Sequence, residues 1–147
     1  MNKEKRIWRA LFLVLTLMLI LSGCSGLPKT AKINITIEPN PVPYSSENES
    51  WPYDIVLDES NGVGVTLTSV RFDDYNQEEQ LYYTQFLYEK DIIDWFKSNY
   101  IPAFSTLQIK GVYHKDPVRK YNLLTIEGVD DNNNPIEATV RVDFLPQ

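Results

Sequence analysis

The sequence predicts an all-β fold, an antiparallel sandwich of about seven strands with one short helix, and three observations indicate it. Apolar and polar residues alternate with a period of two through most of the chain after residue 32, which is typical of half-buried strands. Turn residues separate these stretches, and a single segment has helical spacing. A parallel fold needs a helix between successive strands and is therefore excluded. The number and spacing of the strands match an immunoglobulin-like sandwich.

The N-terminal segment contains basic residues first, then an apolar run, and then residues with small side chains. Four basic residues precede an apolar run at residues 11–21, and Ser22 and Gly23 then lead to Cys24. The run is shorter than the roughly 20 apolar residues that cross a bilayer, and the basic start orients the N-terminus toward the cytoplasm. This pattern predicts a signal peptide that is removed after export.

The four residues Leu21-Ser22-Gly23-Cys24 resemble the lipobox of bacterial lipoproteins. The resemblance implies that the bond between Gly23 and Cys24 is cut, which removes residues 1–23, and that the Cys24 thiol carries lipid. Because two or more acyl chains anchor a protein stably, we expect the domain on the extracytoplasmic side of a cell membrane or an outer membrane. A plain secretory signal with a chance cysteine, or a signal anchor, is the alternative.

The predicted mature chain is strongly acidic. Removal of residues 1–23 leaves 10 basic and 19 acidic residues, a net charge of about −9. Such a chain repels phosphate, and its longest basic cluster is the pair Arg119-Lys120. We therefore expect no nucleic-acid partner.

The first elements follow a short tether. Residues 24–32 are small and polar, so the folded domain is expected at residues 33–147. Residues 32–38 alternate without exception and predict a strand with its isoleucines on one face. Prolines between residues 39 and 43 remove amides that a central strand needs, so we expect an extended connection here.

The next segment predicts a hairpin. Residues 53–58 have the composition of a strand, Asn61-Gly62 marks a turn, and alternation resumes from Val63 to Leu67. The apolar phase then slips at residues 69–72, which predicts either a β-bulge or a strand that changes sheets.

The middle of the chain contains the one helical candidate. Residues 73–80 are acidic and predict a loop, and residues 81–88 are aromatic-rich and predict a strand. Residues 90–100 have helical spacing, with Asp91 placed to cap the start and Pro102 preventing continuation.

The C-terminal part predicts three more strands. Residues 106–113 and 120–127 are separated by a turn at residues 115–117. Turn residues at 128–135 then precede perfect alternation at residues 136–144, so the last hairpin is the clearest element in the chain.

This last hairpin also resembles a known family. Residues 128–130 (Gly-Val-Asp), a polar turn and a strand that ends in residues 142–144 (Val-Asp-Phe) resemble the closing hairpin of bacterial immunoglobulin-like and fibronectin-type-III-like modules, with Asn133 in place of the usual glycine. Residues 57–68 resemble the central hairpin of such modules. The resemblance implies a sandwich and a role in adhesion or scaffolding, not a reaction.

Residues suited to catalysis are few. His114 is the single histidine and lies beside a predicted turn, so we expect an ordinary exposed residue. A hydrolytic dyad would need a nucleophile near it, and zinc sites usually need several Cys or His ligands. We therefore expect no catalytic residue, no metal site and no cofactor. An envelope enzyme that uses acidic residues stays open as a second alternative.

Acidic residues are also candidate ligands for calcium. Five of them are close to predicted loops: Asp58, Glu59, Asp73, Asp74 and Asp130. The spacing of Asp130, Asn132 and Asn134 is that of the start of an EF-hand, but Pro135 occupies the glycine position and Arg141 the position of the final Glu. An EF-hand is excluded, and a calcium site built from several loops remains an alternative.

Five aromatic residues are candidates for a ligand surface: Trp51, Tyr53, Tyr82, Tyr83 and Tyr88. Aromatic rings stack on sugars and form hot spots of protein interfaces. The alternative is that they fill the core. We expect Trp95 and Phe96 to hold the helix over an open end of the sandwich.

These patterns together predict a lipid-anchored envelope module that binds or scaffolds. Its partners would be the membrane, through the lipid, and an envelope protein or a glycan. A calcium- or glycan-binding module is the first alternative.

Lipidation can be tested by the intact mass of the protein extracted from membranes. We expect the mass of residues 24–147 plus two or three acyl chains, since about two chains are needed for stable anchoring. The Cys24→Ser variant should lose this mass. An unmodified mature chain in the medium would show a freely secreted protein instead.

Overall fold

The computed structural model describes residues 29–147. The predicted signal peptide, the lipobox and Cys24 lie outside this range. The described elements are β1 (Ile33–Glu38), β2 (Trp51–Glu59), β3 (Val65–Asn76), β4 (Leu81–Tyr88), α1 (Glu89–Phe96), β5 (Tyr100–Ile101), β6 (Thr106–His114), β7 (Arg119–Asp130) and β8 (Pro135–Asp143).

The strands form two antiparallel sheets, so the all-β prediction is confirmed. One sheet has the order β1-β2-β6, and the other has the order β4-β3-β7-β8 with β5 beside β3. These orders correspond to strands A-B-E and C′-C-F-G of an immunoglobulin-like sandwich. The described strands number eight rather than about seven because the two-residue β5 adds a short edge to β3.

The core lies between the two sheets. It takes the inward residues of both, with Ile55 and Leu57 from β2 facing Phe72 from β3 and Leu124 from β7. Alternate residues of β2 are buried along its whole length, as expected for a central strand with one face on the core.

The predicted hairpin between residues 53–58 and 63–67 is wrong. β2 pairs with β1 and β6, whereas β3 pairs with β4, β5 and β7. The chain therefore crosses from one sheet to the other at Asn61-Gly62 instead of turning back within a sheet. The turn was located correctly, but alternation alone does not say which sheet the next strand joins.

A buried carboxylate organises this crossing. Glu59 is 1% exposed, and five backbone N–H groups donate to its side chain: those of Lys32, Asn61, Gly62, Val63 and Phe104, at 2.8 to 3.2 Å. Burial alone would raise the pKa of Glu59, but the donors outweigh it and hold the pKa at about 2. Glu59 is thus a structural acceptor for three segments.

Strand β3 is longer than predicted. Its register shifts between Leu67 and Ser69, which confirms the predicted bulge. The predicted acidic loop at residues 73–80 is wrong in its first half, because β3 continues to Asn76 and only residues 77–80 form the turn. Arginines balance the acids on this strand: Asp73 pairs with Arg71, and Asp74 pairs with Arg119.

The helix is shorter than residues 90–100. Asp91 accepts the N–H of Tyr88 (3.4 Å), so it acts at the start as predicted. Lys97 adopts a left-handed conformation with φ of 66° and ends α1, and Tyr100 belongs to β5. The side chain of Phe96, the last residue of α1, is buried, whereas Trp95 stays partly exposed beside Phe72.

The final hairpin is confirmed, with a turn at residues 131–134 between β7 and β8. Asn133 has a φ of 62°, a conformation that asparagine tolerates better than most residues, which explains why it can replace a glycine here. The carboxylate of Asp130 accepts the N–H groups of Asn132 and Asn134 within the turn, and that of Ala31 from the tether.

The role of Glu59 can be tested with Glu59→Gln. We expect the free energy of unfolding at neutral pH to fall by about 2 kcal/mol, because an amide satisfies the buried N–H groups less well than a carboxylate does. The low pKa of Glu59 means that its contribution is complete above pH 4.5 and is lost as the pH falls toward 2.

The measurement is urea unfolding monitored by circular dichroism between pH 7 and 3, with the exposed Glu137→Gln as the matched control. A Glu59→Gln variant as stable as the control at neutral pH would contradict this role.

Candidate functional site

The two sides of the sandwich differ in how the sheet edges are protected. At the edge of β8, the Asn40 side chain bonds to the Arg141 carbonyl (2.9 Å) and the Asp143 N–H (3.0 Å), and Val42 pairs with Phe144. The edges of β4 and β6 have no such cover within the described part of the chain. We call β4, β6 and the helix α1 that packs over them the open side.

A cleft of about 430 Å³ separates β4 from β6 on the open side. Its walls are Gln85 from β4, Trp95 from α1 and residues 109–114 of β6. Apolar groups predominate, and the amide of Gln85 and the imidazole of His114 supply polar contacts. Clefts of this size and composition are typical of ligand-binding sites.

A β-bulge in β6 shapes this wall. Lys110 and Gly111 together lie opposite Asp54, and the Gly111 N–H donates to its carboxylate (2.8 Å). Gly111 has a φ of 68°, and a Cβ there would meet no atom within 4 Å, so conformation rather than space calls for glycine. Ile109 points inward before the bulge. The extra residue shifts the alternation by one position, so that Val112 and His114 point inward after it.

His114 is not the exposed turn residue that the sequence suggested. The bulge turns it inward, where its Nε2 lies 2.7 Å from the Tyr53 hydroxyl and its ring stacks on Tyr53. Burial, followed by the nearby charge of Arg119, lowers the pKa of His114 to about 3. The imidazole is therefore neutral at physiological pH and offers an uncharged hydrogen-bonding group to the cleft.

The five predicted surface aromatics divide into two groups. Trp51 and Tyr53 lie in the core at 3% and 2% exposure, where the Trp51 indole donates to the Leu145 carbonyl (2.7 Å). A shared surface is therefore wrong for these two, because both are inward positions of β2. Tyr82, Tyr83 and Tyr88 are exposed on β4.

Sequence reasoning missed Phe86, which belongs with the exposed residues of β4. Phe86 is 47% exposed, and its ring stacks on Tyr88 at 6.0 Å with an interplanar angle of 6°. Alternation placed Phe86 and Tyr88 on one face, but nothing local showed that β4 is an edge strand.

A buried polar cluster lies behind His114. Asp74 and Arg119 form an ion pair at 2% and 8% side-chain exposure, and Asn122 is fully buried beside the Tyr53 hydroxyl. Asp74 Oδ1, two nitrogens of Arg119 and both amide atoms of Asn122 have no protein partner within residues 29–147. Burial raises the pKa of Asp74 to about 6 despite the attraction of Arg119.

The five acids considered for calcium do not gather at one place. Asp58 accepts from Thr106, Glu59 and Asp130 accept backbone N–H groups, and Asp73 and Asp74 pair with different arginines. Residues 29–147 contain no group of three or more His, Cys, Asp or Glu placed to hold a metal ion. In the same range, no helix combines the length and the apolar character that crossing a bilayer requires.

No protein-family model matches the chain, and no curated protein does. Two solved structures are similar to it. The first, Northeast Structural Genomics Consortium target SoR45, has 12% identity and a TM-score of 0.47 over 81% of this chain and 90% of that one. The second, target BeR40 from Bordetella pertussis, has 13% identity and a TM-score of 0.49 over 81% of this chain and 98% of that one.

The buried ion pair can be tested by removing one or both partners. Arg119→Met should lower the free energy of unfolding by about 3 kcal/mol, because Asp74 is left in the core without its counter-ion and must either stay charged there or take up a proton. The double variant Asp74→Leu/Arg119→Met should recover most of this loss, since no charge is then buried. Urea unfolding at pH 7 measures both values. Equal stability of the single and double variants would contradict the pairing.

Proposed function

We propose that this protein is a lipid-anchored module of the cell envelope that binds a partner through its open side and has no catalysis of its own. The anchor rests on the lipobox-like segment that ends at Cys24. The binding role rests on one observation: bare strand edges, exposed aromatic residues and the larger cleft occur together on the open side.

The exposed residues of β4 support a binding role because they are large, apolar and close to one another on the strand. Leu81, Tyr83, Phe86 and Tyr88 are each about half exposed or more. Single exposed apolar residues are ordinary on a protein surface, but Phe86 and Tyr88 stack together on the outward face of β4. Tyr83 pairs with the inward Asp74 and therefore belongs to the opposite face, toward the cleft. Aromatic residues are also enriched among those that contribute most to interface affinity.

The composition of the cleft favours binding over acid–base chemistry. Catalysis by a carboxylate pair requires two acids that share one pocket. The residues lining the cleft include no Asp or Glu, and its histidine has a pKa of about 3, too low to exchange protons at neutral pH. The groups that do line it hold a ligand by packing and neutral hydrogen bonds.

In-cell photocrosslinking tests the proposal. A photoreactive phenylalanine analogue replaces Phe86 on β4 or, as a matched control, the exposed Glu137 on β8, at the opposite edge of the same sheet. We expect Phe86 to give discrete adducts at least about fivefold stronger than Glu137, because binding energy concentrates in a small part of a surface. The adducts should weaken in the Cys24→Ser background. Equal labelling at both positions would overturn the proposal.

A further inference from the structure

We infer that the open side accepts an extended, acidic peptide segment of a partner protein, which pairs with the edge of β4 and places side chains in the cleft. This inference rests on the proposed function and specifies its partner. Addition of a strand to a free sheet edge is a general mode of peptide recognition, in which main-chain bonds give affinity and side-chain pockets give specificity.

The edge of β4 bulges only at its start, where Tyr83 and Leu81 pair with the consecutive residues Asp74 and Tyr75. Its eight residues, LYYTQFLY, include no charge, proline or glycine. By comparison, β6 carries Lys110 and a bulge in its middle, and residues 40–42 cover the end of β8 from Arg141 onward. Protein edges are usually blocked by such features. Alternate residues of β4 direct their N–H and C=O groups away from β3 and toward any added strand, except that the Tyr88 N–H already donates to Asp91.

The cleft lies where an added strand would need space. A strand next to β4 would lie about 4.8 Å away in the direction of β6, and its inward side chains would continue the inner face of the sheet past Gln85. That position is the cleft, where Trp95 and Val112 provide apolar contacts. On the outward face, the stacked rings of Phe86 and Tyr88 are available for cross-strand contacts.

Charge identifies the segment as acidic. A second hollow of about 350 Å³ lies against β6 and shares Gly111 and Tyr113 with the cleft. The cleft includes Lys110 in its lining and the second hollow includes Lys115, and neither lining contains a carboxylate. Neither lysine forms a salt bridge within the described residues. In a chain with 20 acidic and 14 basic residues, Lys110 at the cleft and Lys115 at the adjoining hollow favour acidic side chains in the occupant.

The test begins with phage-displayed random peptides of about ten residues, the length of a long strand. They are selected on the immobilised full chain in mild detergent, and one enriched peptide is synthesised with two counterparts. One counterpart has its acids replaced by lysines, and the other has a central proline. We expect the enriched peptides to alternate apolar residues with Asp or Glu.

Hydrogen exchange then shows whether the backbone is used. The bound peptide should slow exchange of alternate amides in residues 81–88 by at least about tenfold, since these amides gain hydrogen bonds. The proline and lysine counterparts should each bind at least about tenfold more weakly. Lys110→Glu/Lys115→Glu should also bind about tenfold more weakly, whereas Lys32→Glu, just before β1, should leave binding unchanged.

The other outcomes overturn the inference. Selection of no peptide, or of basic peptides, would exclude an acidic strand. Polyphosphate binding as tightly as the peptide, with no protection of β4, would indicate an anionic polymer held by the lysines alone. In each case, adducts at Phe86 in cells would still support the proposed binding function. The absence of adducts would contradict that function as well.

Discussion

The carboxylate of Glu59 is the constraint on which the rest of this structure depends. A sandwich needs its chain to pass from one sheet to the other, and each passage leaves backbone N–H groups without strand partners. Here one buried side chain accepts five such groups from the tether, from the crossing after β2 and from the segment before β6. This single acceptor therefore ties the start of β1, the end of β2 and the segments before β3 and β6 together.

Local sequence patterns predicted most of the strands because alternation and turn residues are local properties. The limits of β4, the bulge near Leu67 and the final hairpin were all readable in this way. The pairing of β2 was not, because Asn61-Gly62 fits a hairpin and a crossing equally well. The deciding residue, Glu59, looked like any loop acid in the sequence, since its partners include Phe104, 45 positions away.

The candidate site was harder to predict than the fold. Tyr82, Tyr83 and Tyr88 were identified, but Trp51 and Tyr53 were wrongly grouped with them because strand parity depends on which face of β2 meets the core. His114 was misjudged for a related reason, because the bulge at Gly111 reverses which residues of β6 point inward. A glycine in a strand is the one local signal that could have indicated that reversal.

The entry of the tether into the fold has a mechanical consequence. The chain joins β1 at its first residue, and six residue pairs connect β1 to β2 in antiparallel register. A pull transmitted along the tether acts parallel to β1, whereas the hydrogen bonds to β2 lie across it. The bonds are then loaded together in shear rather than opened one after another. The N–H groups of Ala31 and Lys32, held by Asp130 and Glu59, carry the load first. A domain connected in this way can sustain tension between the proposed lipid anchor and the proposed partner at its side.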